Sequence, residues 1–273
     1  MILFSGRANR ELAEAVASFL EINLGRCTVE NFPDDEFRVD IREEVQGADI
    51  YILQPTGPPV ADHLLELLLL ADGCRKAGAA RLTAIVPYYG YARQDRRSRS
   101  GEPVAARLLA DLLCTRFDRL VLLDLHNPAI EGFFPVPVEQ LSAVPLLAEA
   151  LQRILDDNHI LVAPDLGAVK LAQRYADKLG LPLAYIHKER QSGTEVSIRH
   201  VIGAVADKAP VIVDDMISTG GTVASSIKVL LEKGCRPEVT LVTSHSLLVG
   251  DAVQKLAHLP VTRLVTTDSL PQQ

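Results

Sequence analysis

Short apolar runs recur along the chain, each followed by a stretch whose apolar positions fall three or four residues apart. The first run is Ile2–Ser5. Asn9 then stands as the N-cap of a helix that would place Leu12, Val16, Phe19 and Leu20 on one face. Residues 27–32 and 36–41 read as two strands around the turn Pro33-Asp34-Asp35. Strands at 48–54, 81–88 and 120–125 alternate with helices at 60–77 and 103–117. Pro103 falls in the first turn of its helix, where the missing N–H costs nothing.

The same alternation starts again further on. A helix over 144–155 leads to a strand at 160–163, a helix over 168–179 and a strand ending at Ile186. After a polar stretch, 188–194, residues 195–201 read as extended. A long β-branched strand from Val211, a helix over 223–233, a strand at 239–243, a short helix over 251–258 and a strand at 263–267 complete the chain. Alternating strands and helices predict an α/β fold of mostly parallel sheets flanked by helices. Two cycles of similar length predict two related domains, 1–141 and 142–273, with Phe133-Phe134-Pro135-Val136-Pro137 as the crossing. The active site is expected between the halves, because each supplies polar loops at its strand ends.

The richest candidate chemistry lies where the strand from Val211 ends. Asp214 and Asp215 close the apolar run, and Ser218-Thr219-Gly220-Gly221-Thr222 turns the chain into a helix. Backbone N–H groups of such a turn and of a helix N-terminus converge on one point, which suits a phosphate. Paired carboxylates beside a phosphate cradle suit a sugar phosphate, with the acids on its hydroxyls. An ordinary solvated turn is the competing reading. The stretch resembles the binding motif for ribose 5-phosphate and phosphoribosyl pyrophosphate found in the phosphoribosyltransferase superfamily.

Four further constellations stand at strand ends. Residues 87–99 carry Tyr88, Tyr89 and Tyr91 with Arg93, Gln94, Asp95, Arg96, Arg97 and Arg99. Guanidinium groups bind phosphates bidentately and stack on flat rings, so a nucleotide polyphosphate fits, as does a basic solvated loop. Asp124 and His126, two apart on an extended chain, point the same way and so suit a metal or a phosphate; a hydrogen-bonded strand-end His is the alternative. Asp165 in Pro164-Asp165-Leu166-Gly167 suits either Mg²⁺ or an N-cap. Lys188-Glu189-Arg190 reads as cations on a loop that closes over a reacting phosphate, or as a charged hairpin. There is no G-x-x-x-x-G-K-[ST] motif, so ATP would not sit in a P-loop.

Composition narrows the class. The chain has 273 residues and a net charge of −7, from 35 acids against 28 bases, which argues against nucleic acid as a partner. Cys27, Cys74, Cys114 and Cys235 form no C-x-x-C pair, so neither zinc nor a redox dithiol is indicated. Scattered cysteines and the lack of a signal peptide fit a reducing cytoplasm. The apolar run 64–71 is interrupted by Glu66 and is too short for a bilayer, so no membrane partner is expected; it reads as a core or subunit-interface helix.

Taken together, Phe32-Pro33-Asp34-Asp35-Glu36-Phe37, residues 87–95, Asp124-Leu125-His126, Gly132-Phe133-Phe134, Pro164-Asp165 and 213–222 resemble the ribose-phosphate pyrophosphokinase family along nearly the whole chain. The resemblance implies two phosphoribosyltransferase-like domains. It implies transfer of the pyrophosphoryl group of ATP to the C1 hydroxyl of ribose 5-phosphate, with Mg²⁺ as cofactor. It places Phe32, Asp34, Glu36, Arg93, Gln94 and Asp95 on ATP, with the first three reaching a neighbouring subunit's nucleotide. Asp214, Asp215, Ser218, Thr219, Gly220, Gly221 and Thr222 would bind ribose 5-phosphate. His126 and Asp165 would hold the metal, and Lys188, Arg190 and His126 would be catalytic. A homo-oligomer is implied, dimer-based and in many members a hexamer. Asp35 stands where many members carry Gly, Glu189 interrupts an often basic run, and Ser218 replaces a common Asp. Two other readings compete: a non-catalytic homologue that regulates the enzyme, and a phosphoribosyltransferase acting on a base.

Overall fold

The computed structural model describes residues 1–190 and 197–272, with backbone alone for 188–190 and 197–199. Met1–Ser142 and the segment from Asp268 onward form one compact unit; Ala143–Thr267 form another.

The first unit is built on a five-stranded parallel sheet, ordered β1-β4-β5-β6-β7. Its strands are β1 (Ile2–Ser5), β4 (Asp49–Leu53), β5 (Arg81–Val86), β6 (Arg119–Leu123) and β7 (Val138–Leu141). Alternate residues serve opposite faces. Phe4, Ile50, Ile52, Leu82, Ala84 and Val86 face a core shared with α2 (Val60–Lys76) and α3 (Ala105–Cys114). Leu3 and Leu53 face α1 (Arg10–Phe19) on the other side, against Ala13 and Ala17. Each fully buried Leu or Phe contributes roughly 1.5–3 kcal/mol. The hairpin β2 (Cys27–Asn31) and β3 (Phe37–Ile41) forms its own antiparallel ribbon and lies against this core through Val29, Val39 and Ile41.

The second unit holds a six-stranded sheet, ordered β10-β9-β8-β11-β12-β13 and parallel except for β10. The strands are β8 (His159–Ala163), β9 (Leu183–Arg190), β10 (Ser197–Ile202), β11 (Ala209–Ile217), β12 (Val239–Ser246) and β13 (Val261–Thr266). One face, with Ile160, Val162, Ile212 and Leu241, packs on Val223, Ile227 and Leu230 of α6 (Gly221–Glu232). The alternating residues Leu161, Val211, Val213 and Val242 are buried as well, so both faces are covered. The remaining helices are α4 (Val144–Gln152), α5 (Val169–Leu179) and α7 (Ala252–Ala257).

Several expectations from the sequence change. Phe19 is 88% exposed, and Leu20 only caps α1, because the ten-residue helix turns its buried side through Ala13 and Ala17. Pro103 lies outside α3, whose N-cap is Val104. Residues 133–137 are not a crossing: a 3₁₀ turn, Pro128–Phe133, feeds the edge strand β7, which the apolar pattern did not announce. The chain from Asp268 packs on the first unit, where Leu270 is buried and the Asn9 side-chain N–H donates to the Asp268 carbonyl (2.7 Å). No helix among the described residues is long and apolar enough to cross a membrane.

The acid that interrupts the apolar run of α2 is structural. Glu66 is fully buried, and it accepts from the Arg7 backbone N–H (2.6 Å) and from Arg7 Nε (2.8 Å). Arg7 also donates to Asn31 Oδ1 (2.6 Å) and stacks over the Phe37 ring at 4.9 Å. One guanidinium thus ties the β1 exit, α2 and the hairpin together. Arg7→Ala would leave Glu66 buried beside a lost partner and is expected to cost about 3 kcal/mol, the low end for a buried pair, since Arg7 stays partly solvated. Urea unfolding reads this directly; a change under about 0.5 kcal/mol, the size of an ordinary surface substitution, would assign the pair no structural weight.

Candidate functional site

Within the second sheet, the strand order reverses between β8 and β11. From β8 the chain moves outward to β9, whereas from β11 it moves the other way, to β12 and β13. β8 and β11 are parallel neighbours, paired from Ala209↔His159 to Ile212↔Val162, so both end at the same edge. The connections leaving them diverge and open a crevice, the usual ligand position in such sheets. The sequence put Asp165 after β8 and Asp214 and Asp215 near the end of β11, and the structure brings all of them to this edge.

Asp214 is a strongly perturbed acid. Burial pushes its carboxyl well above the usual range, and the neighbouring Asp215 charge, a hydrogen bond with that carboxyl and the charge of Asp165 push the same way. The Asp215 backbone N–H, donating to Asp214 Oδ1 at 3.0 Å, opposes them. A cluster of half-buried acids is held together here at an electrostatic cost, which suits a site awaiting donors or a cation. Asp165 is exposed, and its Oδ1 accepts the N–H groups of Gly167 (2.9 Å) and Ala168 (3.1 Å). The N-cap of α5 is Ala168 rather than Asp165, whose bonds instead brace the turn leading into the helix and fix the carboxylate there.

The loop after β11 forms a cradle. Gly220 is the N-cap of α6 at φ +70°, a conformation that favours glycine, and no side chain caps that helix. The first N–H groups of a helix have no intrahelical partner, so they and the dipole favour an anion. Ser218 is half-buried, and Thr219, Gly221 and Thr222 are exposed. The Ser218 carbonyl accepts from Val249 N–H (3.1 Å) and the Thr219 carbonyl from Lys255 Nζ (3.0 Å). These bonds tie the loop to the chain after β12 and to α7. Sequence reading missed Lys255, which lies on α7, and no local motif marks it.

In the first unit the loop after β5 is anchored by its aromatics. Tyr88 and Tyr89 are buried, and Tyr89 donates to the Ala106 carbonyl (2.8 Å) and packs edge-on against Phe134. Two of the three tyrosines expected to serve a nucleotide are therefore core residues, and Tyr91 alone of them is exposed. Gly90 meets the chain so closely that a Cβ would lie 2.5 Å from the Thr56 carbonyl oxygen. Arg93 and Gln94 project from this anchored base into solvent. Asp95 Oδ2 accepts from Asn127 Nδ2 (2.5 Å), joining the loop to the segment with His126.

Asp124 has φ +37° and is buried, and His126, two residues on, is exposed, so the extended chain expected through this pair is interrupted at Asp124. No group of three or more His, Cys, Asp or Glu side chains among the described residues is arranged to hold a metal. Phe32, Asp34 and Glu36 line a shallow depression with Pro33 at the hairpin tip. Asp35 there has φ +66°, which explains why glycine suits this position. Lys188 and Arg190 stand in β9 rather than in a free loop, with their backbones paired to Arg199 and Ser197. Their side chains lie outside the described residues.

Residues 1–116 match the model for the N-terminal domain of ribose phosphate pyrophosphokinase, and residues 138–257 match the phosphoribosyl transferase domain. A ribose-phosphate pyrophosphokinase from Oceanobacillus iheyensis is 40% identical over 98% of this chain and 85% of its own length. Ribose-phosphate pyrophosphokinase A from Dictyostelium discoideum is 42% identical over 98% of this chain and 85% of its own length. The chain belongs to the ribose-phosphate pyrophosphokinase family. The crystal structure of phosphoribosylpyrophosphate synthetase from Mycobacterium smegmatis superposes with a TM-score of 0.93 at 40% identity, covering 99% of this chain and 89% of that one. In the terms of that family, the β11–α6 cradle lies in the phosphoribosyl transferase domain, and the hairpin tip and the Arg93 loop lie in the N-terminal domain.

Two substitutions test the local geometry. Gly220→Ala is expected to cost about 1–2 kcal/mol in urea unfolding, the penalty of a left-handed residue with a Cβ. Asp35→Gly is expected to stabilise the hairpin, by up to about 1 kcal/mol given the tolerance of Asp for that conformation. The opposite sign for either would contradict the assigned backbone.

Proposed function

We propose that this protein makes phosphoribosyl pyrophosphate by transferring the pyrophosphoryl group of ATP to the C1 hydroxyl of ribose 5-phosphate, releasing AMP. The observation that carries this reading is the β11 edge in a member of this family: paired acids lead into an uncapped helix N-terminus. Asp214 and Asp215 accept hydrogen bonds from the ribose hydroxyls, and the N–H groups of 218–222 take the 5-phosphate. Arg93 and Gln94 bind ATP, with Asp95 holding their loop through Asn127. Phe32, Asp34 and Glu36 reach the nucleotide of a neighbouring subunit in a homo-oligomer. The exposed tip of the ribbon, with Phe32 46% exposed in a single chain, supports that reading.

The donor set also fits Mg²⁺. That ion is held by one or two carboxylates and by substrate phosphates rather than by an all-protein cage. Asp165, an exposed carboxylate fixed in the turn before a helix, has this character, and His126 lies beside the ATP loop. When bound, the ion neutralises polyphosphate charge. The residues of the chain then position and screen: the C1 hydroxyl attacks the β-phosphorus in line, and AMP leaves with the bridging oxygen. His126, Lys188 and Arg190 offset the charge that develops on the phosphoryl oxygens. The chemistry requires no membrane or nucleic acid, and a cytoplasmic setting supplies both substrates.

A phosphoribosyltransferase acting on a base would leave the Arg93 loop without a role, and the family matches extend over the N-terminal domain as well. A silent regulator is disfavoured by the retained Lys188, Arg190, His126, Asp214 and Asp215. An assay for AMP release from ATP should show a strict requirement for ribose 5-phosphate and Mg²⁺. In that assay Lys188→Ala should lower turnover by about 10²–10³, the cost of losing one preorganised donor, with little change in binding of an ATP analogue. Near-normal turnover would take Lys188 out of the mechanism, and no AMP release from the parent protein would overturn the reading as a whole.

A further inference from the structure

Thr243, on β12, is fully buried, and its Oγ1 is a buried side-chain oxygen with no hydrogen-bond partner among the described residues. Its neighbour in the sheet gives this a meaning. Thr243 is the register partner of Asp214 on one side and of Thr266 on the other. Side chains of register partners leave a sheet on the same face, a few ångströms apart. The nearby hydroxyls are otherwise engaged: Thr266 Oγ1 donates to Ser246 Oγ (3.2 Å), and Thr267 Oγ1 donates to the Ser244 carbonyl (2.6 Å). A buried hydroxyl without a partner is costly, and valine would fill the same volume without that cost. Threonine at this place is therefore unexplained by packing.

We propose that Thr243 is a positioning residue for Asp214: once a sugar phosphate occupies the site, its hydroxyl donates to the Asp214 carboxylate and fixes it toward the ribose hydroxyls. The inference rests on the assignment of this edge to ribose 5-phosphate. In the empty site, Asp214 turns to its own neighbour, with its Oδ1 on the Asp215 N–H (3.0 Å) and its carboxyl against that of Asp215. A ligand hydroxyl or cation that engages Asp215 breaks this pairing. Asp214 then needs a donor from the protein, and Thr243, in register with it, is a buried unspent one among the described residues. Hydrogen bonds to a charged acceptor are about twice as strong as neutral ones, so a donor satisfied only in the complex favours ligand binding.

The experiment compares Thr243→Val, Thr243→Ser, Asp214→Asn and the Thr243→Val/Asp214→Asn double variant with the parent protein. Thermal unfolding without ligand and calorimetric titration with ribose 5-phosphate are both measured. Thr243→Val should melt at or above the parent temperature, because a costly hydroxyl is gone, yet bind ribose 5-phosphate about tenfold more weakly. Thr243→Ser should restore binding, since it returns the hydroxyl alone. In the Asp214→Asn background, Thr243→Val should weaken binding much less. Parental affinity in Thr243→Val, or a lowered melting temperature without ligand, would overturn the proposal while leaving the site assignment intact. No binding of ribose 5-phosphate by the parent protein would overturn the site assignment and the proposal with it.

Discussion

Two parallel strands that part company at one edge fix the rest of this molecule. β8 and β11 pair through their apolar cores, but the chain leaves them in opposite directions along the sheet. Neither connection can cover the gap between them, so the edge stays open to a ligand. The sequence fills that edge with groups that a packed core would exclude: Asp165 in the turn before α5, Asp214 and Asp215 on β11, and an uncapped α6. The first unit has no such reversal, since β4, β5, β6 and β7 follow one another outward from β1. Its polar loops are instead built out from buried anchors, Tyr88 and Tyr89 in one case and the Arg7–Glu66 pair in the other.

The site is destabilised where it is empty. Acids crowd one another so that the Asp214 carboxyl is pushed well above its usual range, no side chain caps α6, and a buried hydroxyl without a partner among the described residues stands in register with Asp214. Each feature costs stability alone and gains a partner when a phosphorylated, hydroxyl-rich ligand arrives. The cost is borne by a sheet whose strands β11 and β12 are buried almost throughout on both faces. A buried charge away from this edge is matched within the protein. Glu66 is the clearest contrast, a buried acid that interrupts an apolar helix and meets both the backbone and the guanidinium of Arg7.

Much of this was legible in the chain itself, for physical reasons that differ from residue to residue. The β11–α6 site was readable because a β-branched run, paired acids and glycines are each tied to backbone geometry at fixed spacing. β7 was not, because Val138-Glu139-Gln140-Leu141 is a short edge strand with two polar residues and no apolar run. The extended chain expected through Asp124 and His126 is interrupted by one positive φ, and nothing in the side chain of Asp124 announces it. Tyr88 and Tyr89 misled because aromatic residues serve cores as readily as ligands. The return of the chain from Asp268 to the first unit depends on a contact with Asn9, far away in sequence, which no local pattern encodes. Thr243 lay in an apolar strand pattern, and only the register opposite Asp214 gives it significance.

The central claim is that the edge between β8 and β11 is the sugar-phosphate site. Backbone hydrogen exchange with and without ribose 5-phosphate tests it most directly. The account predicts that added ligand slows exchange at the N–H groups of 165–168 and 218–223 and leaves the buried strands of the first unit unchanged. Unaltered exchange at 218–223 under saturating ribose 5-phosphate, or slowing confined to the Arg93 loop, would contradict it.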